Sequence, residues 1–107
     1  MGRSALGFLE VQGYSVALAA ADKACKAADV RIEGIDCNNP DASVKSTIPL
    51  MVQVKFSGEV SDVRHALEVA RETARAYLSD REILTHCIPR GGEGIEALLP
   101  IGKVTRK

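Results

Sequence analysis

A chain of 107 residues is one domain's worth. Fourteen Lys and Arg balance fourteen Asp and Glu, so no net field gathers nucleic acid or an anionic membrane, and neither is expected as a partner. With 46% hydrophobic and 26% charged residues the composition belongs to folded rather than disordered chains.

Residues 5–11 (ALGFLEV) are a short apolar run closed by Gly13, which predicts a first strand with a tight exit. Ser15 offers an N-cap. From Val16 to Ala28 the sequence is nearly all small and apolar except for a stripe of Asp22, Lys26 and Asp29, the pattern of a helix with one wet edge. Val30 to Cys37 alternates as a second strand until Gly34 breaks the phase, which predicts a bulge there. Residues 38–47 are turn formers and read as a long polar loop, a position where function concentrates. Leu50 to Phe56 shows the cleanest period of two and gives a third strand. A second helix follows over about residues 60–78, with Val63, Ala66, Leu67, Ala70, Ala74, Tyr77 and Leu78 inward and Arg64, Glu68, Arg71, Glu72 and Arg75 outward. Ile83 to Ile88 is a fourth strand stopped by Pro89, and Glu93 to Leu99 a short helix stopped by Pro100. The fold class is therefore α+β, with the order βαββαβ, one antiparallel sheet, two main helices on one of its faces and a short C-terminal helix. Residues 1–100 form the single domain and 101–107 a flexible tail.

Catalytic machinery is hard to assemble from these residues. His65 and His86 lack a local partner that would mark a triad or a metalloprotease helix, and no phosphate-binding loop occurs. Gly91, Gly92 and Gly94 read as a turn into the last helix. The chain is expected not to be an enzyme. No apolar run reaches the ~20 residues of a membrane span, and no signal-peptide core precedes the first strand, so the expected location is the cytoplasm. Three cysteines without a CxxC spacing argue against a disulfide framework and against a zinc site made within one chain. Cys25 and Cys87 read as small buried hydrophobes. Cys37, where a strand opens into the polar loop, is the thiol placed to react or to ligate metal.

Residues 5–13 (ALGFLEVQG), 20–30 (AADKACKAADV), 58–60 (GEV), 86–90 (HCIPR) and 95–100 (IEALLP) resemble, in order and spacing, the shell proteins of bacterial microcompartments. The resemblance covers nearly the whole domain. It implies a ferredoxin-like BMC domain whose cyclic homo-hexamers tile edge to edge, with other shell proteins, into a coat around encapsulated enzymes. Lys26 and Arg90 match residues that serve the hexamer edge in that family, while Asp29 stands where asparagine is usual. At the pore the chain departs from the common short Gly- and Ser-containing loop: Cys37, Asn38, Asn39 and Pro40 resemble the GrpU-like variant of glycyl-radical-type microcompartments. That likeness implies a pore loop of Asn38, Asn39 and Pro40 and an iron–sulfur cluster at the symmetry axis, ligated by Cys37 from several subunits and used for electron transfer. Two alternatives stay open: a metal-free pore gated by the same loop for a small polar metabolite, and a ferredoxin-like regulatory module that binds a small ligand at a subunit interface.

Overall fold

The computed structural model describes residues 4–38 and 51–101. Strand β1 (Ala5–Gln12) is followed by helix α1 (Tyr14–Ala27), strands β2 (Val30–Asn38) and β3 (Met51–Gly58), helix α2 (Val60–Ala74) and strand β4 (Ile83–Ile88). Single 3-10 turns occur at Asp80–Glu82 and Ile95–Ala97. The strands form one sheet in the order β2-β3-β1-β4 with every neighbouring pair antiparallel. This is the expected βαββαβ arrangement.

Alternation explains the layering. Leu9 and Val11 of β1, Val52, Val54 and Phe56 of β3 and Ile83 of β4 fall on one face and join the buried core. The helices cover that face with small side chains: Ala17, Ala20, Ala21 and Ala24 of α1 and Val63, Ala66, Leu67, Ala70 and Ala74 of α2 are all buried. Alanines add little area each but let the helix axes come close, so the six largest fully buried side chains (Phe56, Leu9, Val11, Val52, Val54 and Val63) carry most of the apolar burial. Each contributes about 1.5–3 kcal/mol. Arg71 ties α2 to the sheet edge, its Nη2 donating to the Ile83 carbonyl at 3.0 Å and to Thr85 Oγ1 at 3.2 Å.

The bulge lies where the glycine signalled it. Register shifts between Ile32 and Gly34, leaving Glu33 as the extra residue, and Ser57 Oγ donates to its carboxylate at 2.5 Å. Three boundaries differ from expectation. Helix α1 starts at Tyr14 and its N-cap is Gly13 at φ 95°, not Ser15, because only glycine adopts that φ without strain and the chain must turn sharply out of β1. Helix α2 ends at Ala74; the next residues tighten into turns, with Ala76 and Tyr77 donating to the Thr73 and Ala74 carbonyls. Residues 93–99 hold only the 3-10 turn at Ile95–Ala97 in place of the short helix, since Gly94 sits at φ 88° and Pro100 leaves too few residues to propagate a helix.

Part of the second face of the sheet, around Leu6, Gly34 and Lys55, is covered by residues 91–101, while Leu84 on the same face stays exposed. Leu99 is buried there, and the Lys55 ammonium, itself buried, donates to the Ile101 carbonyl at 2.8 Å.

Candidate functional site

The strand registers define two ends of the sheet. At one end Val30, Gly58 and Ala5 stand side by side, with Ile88 beside Leu6; at the other, Asn38, Met51 and Gln12 do, with Ile83 beside Val11. The eight-residue strands separate these ends by roughly 25 Å.

Cys37 and Asn38 close β2 at the second end, paired with Val52 and Met51. Because Cys37 shares a register row with Val52 and Val11, its side chain belongs to the helix-covered face, where it packs, half-buried, against the core. Its backbone N–H donates to Asp36 Oδ1 at 2.9 Å. Asn39 and Pro40, the rest of the expected pore loop, lie outside the described residues. Among the described residues no three His, Cys, Asp or Glu side chains gather within one chain to hold a metal ion.

The other two thiols lie elsewhere. Cys25 on α1 and Cys87 on β4 are half-buried and pack against the core, close to the expected buried hydrophobes. Burial, helped by the Asp22 carboxylate, pushes the Cys25 thiol up, which disfavours its thiolate. Cys87 lines a cavity of about 350 Å³ between α2 and β4 with Arg64, Glu68, Arg71 and His86.

The expected edge residues sit at the opposite end from Cys37. Lys26, in the last turn of α1, is 72% exposed and pairs with Asp22 at 2.9 Å, an i,i+4 contact on a surface that also favours a cation near the helix C-terminus. Asp29 is exposed in the link to β2, and its N–H donates to Asp62 Oδ1 at 3.4 Å. Arg90 is exposed just after β4. Asp29 also lines a hollow of about 600 Å³ with Arg31, Glu59, Val60 and Pro89. Glu59 and Asp62 were not singled out from the sequence; Gly58 before the α2 start marks their position, but only the strand registers bring that start beside Asp29.

Comparison with known proteins identifies the family and the fold. The carboxysome shell protein CcmK4 of Synechococcus elongatus is 31% identical over 102 residues, spanning 95% of this chain and 82% of that protein. The carboxysome shell protein CcmK2 of Synechocystis is 30% identical over 97 residues, spanning 91% and 85% respectively. The crystal structure of a microcompartment protein from Desulfitobacterium hafniense superposes with a TM-score of 0.64 at 21% identity, which shows a shared fold. It covers 94% of this chain, whereas this chain spans about half (51%) of that longer one. The BMC domain family matches residues 5–90, from the first residue of β1 to the arginine after β4. On that match and those relatives, the chain belongs to the BMC domain family.

Proposed function

We propose that this chain is a non-enzymatic shell subunit of a bacterial microcompartment in the cytoplasm, assembling as a cyclic homo-hexamer that tiles edge to edge with other shell proteins around encapsulated enzymes. The observation that carries the reading is the opposition of the two sheet ends: any ring that turns Cys37 toward its axis turns Asp29, Arg90 and the end of α1 toward its rim. A cyclic assembly joins two different patches of each subunit, and β2 and β4 are the outer strands of the sheet, one on each flank. The carboxysome shell relatives support the same role. Native mass of dilute protein checks it: a hexamer is expected, and a monomer or dimer would overturn it in favour of a small regulatory module.

On the rim, Lys26 reaches a neighbouring hexamer by its long stem, and Asp29 and Arg90 complete the contact. Lys26→Ala is expected to leave the hexamer intact and to abolish sheets or tubes at high protein concentration, seen by electron microscopy; unchanged tiling would remove Lys26 from the edge.

For the pore, the reading follows the likeness of residues 37–40 to the glycyl-radical variant: Cys37 thiolates from several subunits hold an iron–sulfur cluster at the axis. When bound, the group supplies one-electron transfer across the coat. Oxygen-free purification is expected to give brown protein containing iron and sulfide, lost in Cys37→Ser and retained in Cys25→Ser and Cys87→Ser. Equal iron in all three variants would exclude Cys37 as the ligand. The packing of Cys37 against the core favours a second reading, a metal-free pore gated for a small polar metabolite, which iron-free wild-type hexamers would support over the cluster.

A further inference from the structure

Residues 91–101 lie over the part of the sheet face turned away from the helices that holds Leu6, Gly34 and Lys55, and the way they are held differs from the rest of the fold. Four contacts fasten them. The Gly91 N–H donates to the Ser4 carbonyl at 3.0 Å. Gly91 is packed so tightly that a Cβ there would lie 2.9 Å from Ile95 Cγ2 and 3.2 Å from Leu6 Cδ1. Leu99 is 4% exposed over the β2 bulge, where a Cβ on Gly34 would collide with the Leu99 carbonyl oxygen. Lys55 Nζ donates to the Ile101 carbonyl at 2.8 Å.

Between these points the segment has little of its own. Its internal backbone bonds are i to i+3 contacts, Ile95 to Gly92, Ala97 to Gly94, Leu98 to Ile95 and Ile101 to Leu98, with no sheet pairing. Leu98 and Ile101 turn their side chains outward, 57% and 63% exposed. Gly92 and Gly94 have open space around them, and Gly94 sits at φ 88°. Segments with so few buried contacts belong to the low-stability end of a fold.

Lys55 makes the closure a balance. It is 8% exposed, flanked across the strands by Phe8 and Gly34, and a buried ammonium gains hydration as soon as the segment lifts. We propose that residues 91–101 form a detachable strap, latched by the Lys55 to Ile101 hydrogen bond and the seating of Leu99 on Gly34, whose release uncovers Lys55 and Leu6 on the sheet face. The latching contacts all lie within one chain and involve no metal.

Amine acetylation of the assembled protein, followed residue by residue by mass spectrometry, tests it. Lys55 in the wild type is expected to react at least about tenfold more slowly than exposed Lys23, as a closed but opening segment requires. Gly34→Ala, which forces the Leu99 carbonyl off the sheet, and Leu99→Ser, which removes the seated side chain, are each expected to bring Lys55 within about twofold of Lys23 while the far-ultraviolet circular dichroism stays unchanged. Leu99→Ser carries the test alone if the Gly34 variant fails to fold. Reaction of wild-type Lys55 as fast as Lys23 would show that no latch closes, and protection of Lys55 persisting in folded Leu99→Ser would show that the segment is no strap.

Discussion

Phe56→Ala is expected to lower the stability of the domain by about 3–5 kcal/mol, the largest effect of any single truncation in this core. Phe56 is fully buried in β3, an inner strand, paired with Gly7 on one side and Ile32 on the other, beneath the two helices. The residues that the two helices bury over the sheet are mostly alanines, whose short side chains cannot swing in to fill the void, so the transfer loss and the cavity add. Against a total of about 5–15 kcal/mol for a domain, that loss removes a large part of the margin. Thermal melts at one fixed protein concentration are the measurement, because assembly itself raises apparent stability. A midpoint lowered by more than about 10 °C is expected for a chain of this length. A shift of only a few degrees would show that the alanine-rich layer collapses onto the gap.

Gly7→Val is expected to cost about 1–3 kcal/mol in the opposite way, by overfilling. Gly7 lies on the helix-covered face of β1, and a Cβ there would stand 2.8 Å from Val63 Cγ1 and 3.2 Å from Leu67 Cδ1. Valine favours strands, so propensity alone would forecast a gain. The close seat of α2 reverses the sign. Val63 is stiff at its one side-chain torsion and fully buried, so it cannot yield without moving the helix. Val63→Ala should recover part of the loss in Gly7→Val while destabilising the wild type, and a double-mutant cycle reads that coupling directly. Additive effects of the two substitutions would mean that α2 does not press on Gly7.

The alternation of Leu9 and Val11, and of Val52, Val54 and Phe56, carries the strands and the buried face, because a period of two has one solution on a pleated sheet. The alanine run with its polar stripe likewise carries α1, and Gly34 its bulge. Capping and termination were less legible. Ser15 is a good cap in isolation, yet the geometry of the β1 exit gives the position to Gly13. Cys37 read as a thiol at the mouth of a loop, but the register of β2 on β3 sets its side chain in the row of Val52, half-buried, and only pairing could decide that.

Local pattern and family resemblance together determined the element order, the inner face of the sheet and the two groups of candidate residues. Tertiary structure alone decided that Arg90 joins Asp29 at the sheet end opposite Cys37, and that Lys55, on the polar side of a strand by its pattern, is buried under residues far away in the chain. The physical reason is common to both. Periodicity reports which side of an element a residue takes, whereas the partner that covers that side is chosen by strand order, register and chain reversal, none of which is encoded within a window of ten residues.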